Sequence, residues 1–335
     1  MAESYLALSA DERLEALGVA ATASGRPVHL LEKDIWVVWA LQGLFESKLG
    51  EHLVFKGGTS LSKGYGIIQR FSEDIDLTYD VRQIIPELAK GDPPIPETRS
   101  QADKWSKAAR ERLPVWVRDE ALPVLQKHAA DTGVSVKFRV EADVIYVDYD
   151  QLSEGSEYVA PSVKLEFGAR STGEPAEVRQ VTCDAAPSLP ELLFPAAAPK
   201  IMLPQRTFWE KATAVHVLCG QGIKGDRISR HWYDLVKLDD ARYAKAAFDD
   251  KDLAKEVADW KRKFFREKDS DGNVIDYHAA VAGKLRVVPD GEMRKELEAD
   301  YQKMVDAGLL LGDAVPFSDL MKRCADLQKR ANEQS

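Results

Sequence analysis

The chain is short of cysteine, of long apolar runs and of positive charge, and each shortage excludes something. Its three cysteines, Cys183, Cys219 and Cys324, stand far apart among 335 residues, without the close pairing of a zinc site. Structural thiols in a reducing compartment, the cytoplasm, are therefore expected. No apolar stretch approaches the roughly 20 residues that span a bilayer, so no membrane association is expected. The opening MAESYLALSADERLEAL carries acids early and lacks the basic-then-apolar pattern of a secretory signal. Against 55 aspartates and glutamates there are 46 lysines and arginines, a net charge of −9. That balance argues against a surface wholly given to nucleic acid but allows a local basic groove, because the field that matters is local.

What is present is the composition of an ordinary globular protein, and this length predicts two lobes rather than one. The stretch Phe55–Tyr79, FKGGTSLSKGYGIIQRFSEDIDLTY, organises the rest. A short apolar segment, Leu53 to Phe55, runs into Gly57-Gly58-Thr59-Ser60, and a helix carrying Lys63 is predicted from Leu61 to about Gln69. Without a Cβ, the paired glycines let backbone amides at the helix start approach a phosphate. On the strand that follows, Asp74 and Asp76 share one face while Ile75 and Leu77 share the other. The two carboxylates stand roughly 6–7 Å apart along the strand, a span that suits one or two divalent ions. A phosphate cradle followed by a carboxylate pair is the equipment of phosphoryl or nucleotidyl transfer. Alone, a Gly-Gly is usually a turn and an Asp-x-Asp usually a solvated strand edge.

Elsewhere the patterning is mostly helical. Ser9 with Glu12 predicts a capped helix start, Gly25-Arg26-Pro27 a break, and Leu31 to Leu41 a buried helix. Asp92 to Glu97 reads as an exposed, proline-stiffened loop. Ser100 to Asp131 reads as helix interrupted at Pro114 and Pro123, most basic at Lys104, Lys107, Arg110 and Arg112; such runs are commonly solvated faces. Strands are predicted at Val134–Val140, Val144–Tyr149 and Ser162–Phe167, the last carrying Glu166, for which a pairing with Lys164 is the plain reading. Residues 187–204 read as a lobe connection, with helices beyond. There, Thr207 and Glu210 predict a capping box that fixes Lys211 near the first turn. Arg230 and Asp234, four apart, predict an ordinary helix-face pair. The run Trp260–Arg266 reads as an amphipathic helix burying its aromatics.

The glycine and aspartate motifs together resemble the DNA polymerase beta-like nucleotidyltransferase superfamily. FKGGTSLSKGY and RFSEDIDL, with TFWEK before His216 and RHWYDL at Arg230–Leu235, more specifically resemble the AbiEii/AbiGii toxin family. The resemblance runs from about Leu31 to Ala331, taking in LRVVP and DYQKM near the end.

It implies a bilobed α/β (α+β) protein. A small mixed-sheet nucleotidyltransferase core with N-terminal helices is expected over 1–186, and a mostly helical C-terminal lobe completing the active site over 187–335. The implied magnesium ligands are Asp74, Asp76 and a third carboxylate, Glu166 or in reserve Asp143. Gly57, Gly58, Thr59, Ser60, Lys63 and Arg206 are the implied nucleotide contacts. Lys211 and Asp234 join the aspartate pair as catalytic residues, with Asp234 orienting Lys211 or activating the acceptor hydroxyl, and His231 the other candidate base. The implied activity is Mg-dependent transfer from a nucleoside triphosphate to RNA, the tRNA 3′ end in particular. The chain would be the toxin of a type IV-like, phage-defence pair with a separately encoded antitoxin. The alternatives are phosphotransfer to a protein hydroxyl and a non-catalytic nucleotide- or RNA-binding module.

Overall fold

A computed structural model describes residues 3–72, 74–92, 94–153, 160–222, 225–310 and 314–333. Glu73 and Pro93, which fall in the motif and loop named above, lie outside them. The chain forms two compact units, one of residues 1–65, 71–94 and 104–202, the other of residues 66–70, 95–103 and 203–335. The division falls at 202/203 rather than 186/187, because the segment expected to be a connection carries strands. Among the described residues no helix is long and apolar enough to cross a membrane.

In the first unit, helix α1 (Ala10–Ser24) begins at the Ser9–Glu12 capping box and ends at Gly25, whose φ of 72° suits glycine. Helix α2 (Val28–Phe45) is buried over nearly its whole length. Strand β1 (Leu53–Lys56) runs into helix α3 (Gly57–Lys63), and strand β2 (Ile75–Tyr79) follows. Helix α4 (Arg99–Trp116), which belongs to this unit from Lys104 onward, continues through Pro114 and a π-helical turn, Val117–Ala121, into α5 (Leu122–Thr132). The prolines do not end the helix: Pro114 stays within it, and the chain departs from α geometry only in the π-helical turn that precedes Pro123. Strands β3 (Val136–Glu141), β4 (Val144–Tyr149), β5 (Ser162–Gly168), β6 (Ala176–Val178) and β7 (Lys200–Met202) complete a seven-stranded mixed sheet of order β3-β4-β5-β2-β1-β7-β6.

The sheet's inner face is read from alternation along its strands. Ile75, Leu77, Val163, Leu165, Ile145 and Val147 are fully buried. Residues between them are more open. Trp36 stacks on Tyr149 and Trp39 packs at a tilt against His128, so α2 is held to both β4 and α5. The loop expected to be exposed buries Pro94 and Pro96, because a proline ring has no donor to leave unsatisfied.

The second unit is helical: α6 (Pro204–Gln221), α7 (Ser229–Asp240), α8 (Tyr243–Asp249), α9 (Lys251–Phe264), α10 (Gly291–Asp306) and α11 (Phe317–Glu333). Thr207 and Glu210 form no capping box. Helix α6 starts three residues earlier, at Pro204, whose fixed φ suits the first helical position. Thr207 instead donates back to the Leu203 carbonyl at 3.3 Å, and Glu210 accepts from Arg206. The start of α7 is capped from afar: the Asp300 carboxylate accepts from Arg227 N at 2.7 Å and Ser229 N at 2.8 Å. Asp300→Ala strands two amide donors at the start of the helix that carries Asp234. It is expected to lower stability by about 1–3 kcal/mol, read as a lower urea midpoint, with faster hydrogen exchange at the first turn of α7.

Candidate active site

Strand β1 pairs antiparallel with β2, setting Lys56 opposite Asp76. The next residue, Gly57, turns the chain at φ +79° and presses against the Asp76 carboxylate. A Cβ at Gly57 would overlap Asp76 Oδ2 and come within 2.9 Å of Cγ, so only glycine fits both the backbone angle and the space. Across the other edge of β2, β5 runs parallel, with Asp76 in register with Glu166. Paired positions on neighbouring strands share a face. Asp76 and Glu166 therefore stand side by side, with Asp74 two residues earlier.

Glu166 also makes an ion pair with Lys164, which raises the Lys164 pKa; the Asp74 charge acts in the same direction. The plain reading of Glu166 and its place beside Asp76 thus coexist. Asp143 lies in the β3–β4 turn, where its charge acts on Arg170 rather than in register with Asp76.

The predicted helix over 61–69 sits earlier, at Gly57–Lys63, because Gly66 at φ +63° takes the chain out of helical geometry. Gly58 is buried in its first turn. The neighbouring hydroxyls hold the turn together. Thr59 Oγ1 lies 2.9 Å from Ser72 Oγ and donates to the Asp74 carbonyl at 2.5 Å; Ser60 Oγ donates to the Gly57 carbonyl at 2.9 Å. What Thr59 and Ser60 can offer a ligand is backbone.

Lys63 is buried, with Nζ 2.6 Å from Asp34 Oδ1 and 2.7 Å from Asp184 Oδ1. Arg26 pairs with Asp184, and Asp184 N donates to Asp34 Oδ2 at 2.7 Å. Burial lowers the lysine pKa, but the two carboxylates outweigh it and keep the ammonium charged. This cluster fastens α3 to α2 and to the segment before β7, and it engages the Lys63 charge within the protein.

In the second unit, α6 and α7 bring Lys211 and Asp234 together at 2.8 Å. Sequence reasoning paired Asp234 with Arg230. Its actual partners are Lys211 and Arg70, whose Nε and Nη2 each donate at 2.8 Å. The two-pronged guanidinium matches both carboxylate oxygens, which a helix-face neighbour does not. Burial alone would raise the Asp234 pKa, but Arg70 and then Lys211 hold it well below the usual carboxylate range.

A carboxylate locked in this way is a poor proton acceptor, and its contact with Lys211 fixes that ammonium in place. His231 is equally unsuited as a base, because burial and then the Lys211 charge push it down to about 3. Arg206 is buried and paired with Glu256 at 2.8 Å as well as with Glu210. Arg70 went unnoticed in the sequence, although it heads the RFSEDIDL motif.

Among the described residues, no three His, Cys, Asp or Glu side chains converge as a closed metal cage. Magnesium commonly takes only one or two carboxylates and completes its shell with water and substrate phosphates. Asp76 and Glu166, on the open face of the central strands β2 and β5, and Asp74 just before β2 supply the hard oxygen donors that such an ion prefers. In chemistry they fit an ion whose shell a substrate completes, while Glu166 is paired with Lys164.

A family model described as "Nucleotidyl transferase AbiEii toxin, Type IV TA system" matches residues 39–323. No curated protein matches the chain. Among solved structures, the nucleotidyltransferase toxin MenT4 of Mycobacterium tuberculosis H37Rv is 17% identical. The match covers 95% of this chain and 94% of that one, with a TM-score of 0.48. JHP933 of Helicobacter pylori is 16% identical over 91% and 92% of the two chains, with a TM-score of 0.43.

Asp234→Asn removes the one carboxylate between two buried cations and is expected to cost about 3–5 kcal/mol of stability. Because the folded pKa of Asp234 is depressed, its contribution is full above the unfolded value of about 3.9 and is lost as pH falls below it. Urea unfolding should therefore give a constant gap between wild type and variant from pH 8 to pH 5. The gap should narrow only below about pH 4.

Proposed function

The chain belongs to the AbiEii nucleotidyl transferase toxin family of type IV toxin–antitoxin systems, and from that premise we propose that it transfers a nucleotide from a nucleoside triphosphate to RNA. The tRNA 3′ end is the acceptor in this reading, and a bacterial phage-defence pair with a separate antitoxin is the setting. The observation that carries the reading is the register of Asp76 with Glu166 beside the Gly57 turn.

Each residue there has a job that its surroundings allow. Gly57 lets a phosphate-bearing ligand approach the backbone beside Asp76, and the amides of Gly58, Thr59 and Ser60 follow in the first turn of α3. Asp74 and Asp76, with Glu166, would hold magnesium, which would supply Lewis-acid chemistry and offset phosphate charge there. Lys164 pairs with Glu166 and holds its carboxylate in place. In the second unit, Lys211 is the charge-stabilising residue of transfer in this proposal, its ammonium fixed by Asp234, which Arg70 grips in turn.

Incubation with each α-labelled nucleoside triphosphate, Mg²⁺ and total RNA should label RNA with one nucleotide preferred. Asp76→Asn, which removes a half-exposed charge at unchanged side-chain size, should keep the fold by circular dichroism and lose transfer. Lys211→Ala should slow transfer roughly 100- to 1000-fold, as removal of a fixed electrostatic donor does. Near wild-type transfer by Asp76→Asn would remove the carboxylate site from the account, and labelled protein instead of RNA would replace the acceptor.

A further inference from the structure

The acidic protein carries a cationic face on its first unit that the site above does not use. Along α4, Trp105, Ala109 and Leu113 are buried, at one helical spacing, and turn that stripe inward. At about 100° per residue, Lys104, Lys107 and Arg110 come round on the other side, and all three are exposed. Most cations along the same helical run are matched: Arg112 pairs with Glu87, Arg118 with Asp119 and Lys127 with Asp131. Among the described residues, Lys104, Lys107 and Arg110 make no ion pair; the acids on their side of the helix are Asp103, which pairs with Arg99, and Glu111, both exposed.

A second observation points the same way. Arg170, beyond the end of β5, has its pKa lowered by burial and then by the charge of Arg110, with Asp143 acting against both. The positive potential of Arg110 thus extends to Arg170, with Asp143 offsetting part of it.

The helix is also tied to the strands of the carboxylate site. Trp116, at its end, stacks on Tyr79 of β2 with ring centres 4.0 Å apart and meets Phe167 of β5 edge-on at 5.5 Å. Tyr79 is three residues beyond Asp76, and Phe167 follows Glu166. Measured back from Trp116 at 1.5 Å per residue, Arg110 lies about 9 Å and Lys104 about 18 Å along the axis. That is a track several phosphates long, fixed to the same strands as the carboxylates.

We propose that the face of α4 bearing Lys104, Lys107 and Arg110, with Arg170 beside it, binds the phosphate backbone of the RNA acceptor. The proposal rests on the RNA-acceptor reading above and adds the surface that holds the acceptor. The occupant is RNA rather than an acidic protein because evenly spaced exposed cations with no apolar centre suit a repeating phosphate chain. A stable protein interface needs a buried apolar core.

The test uses the full chain and a fluorescein-labelled RNA hairpin with a single-stranded 3′ tail, with binding read by anisotropy from about 50 to 200 mM KCl. The triple variant Lys104→Gln/Lys107→Gln/Arg110→Gln, whose side chains are exposed, should fold normally by circular dichroism. It should keep wild-type affinity for nucleoside triphosphate by calorimetry. Its RNA affinity should fall about 10- to 100-fold, and the slope of log K against log salt should become shallower by about 2–3, one released counterion for each lost contact. Arg118→Gln, a paired cation of the same run, should leave both quantities unchanged. Wild-type affinity and slope in the triple variant would overturn the surface while the acceptor reading stands. No RNA binding by the wild type at low salt would overturn both. Binding lost equally by Arg118→Gln would reduce the effect to net charge and overturn the surface.

Discussion

The close approach of the Gly57 backbone to the Asp76 carboxylate is the constraint on which the first unit's chemistry depends. It requires a positive φ and an absent side chain at one position, and both follow from the antiparallel pairing that sets Lys56 opposite Asp76. The parallel pairing on the other edge of β2 then places Glu166 beside the same aspartate. A one-residue slip in either register would turn Asp76 to the opposite face and bury a charge among Ile145, Val163 and Leu165. The apolar residues of β2 and β5 thus enforce the register that exposes the carboxylates, which ties the core to the site.

Two buried charge clusters hold the remaining motif residues. In the first unit, Lys63 is gripped by Asp34 and Asp184; in the second, Asp234 is gripped by Arg70 and Lys211. In the first, Lys63 lies between two acids, with Arg26 also on Asp184; in the second, one acid lies between two cations. Breaking such a buried set from one side leaves charge without compensation, which is more damaging than never having built it. Loss of activity in a variant of either cluster therefore has to be read together with stability. Asp76 and Glu166, half-buried on the open face of the sheet's central strands, belong to neither buried cluster.

Much of this was legible in the chain itself. Alternation in IDL and VKLEF reveals strands with acids on the open face, and the glycine pair marks the turn. Family membership follows from the full set of motifs. What sequence patterning could not reveal is long-range pairing. Arg230 is four residues from Asp234 and so was the natural partner, yet Arg70, distant in sequence, offers both prongs of its guanidinium. The Thr207–Glu210 spacing imitates a capping box, but Pro204 is the stronger start signal and its effect won. The 187–204 stretch looked like a linker because proline and alanine are poor strand formers. Lys200–Met202 is nevertheless paired between β1 and β6, where neighbouring strands supply the hydrogen bonds. Lys63 was read as a ligand contact because the acids that claim it lie far away in sequence.

The central claim is that the carboxylates at the Gly57 turn hold a divalent ion together with a triphosphate. Electron paramagnetic resonance of free Mn²⁺, titrated with the full-length protein with and without a non-hydrolysable nucleoside triphosphate, tests it most directly. The account predicts weak Mn²⁺ uptake by the protein alone, strong uptake when triphosphate is present, and loss of the strong uptake in a folded Asp76→Asn variant. Equal uptake by wild type and Asp76→Asn in the presence of triphosphate would contradict it.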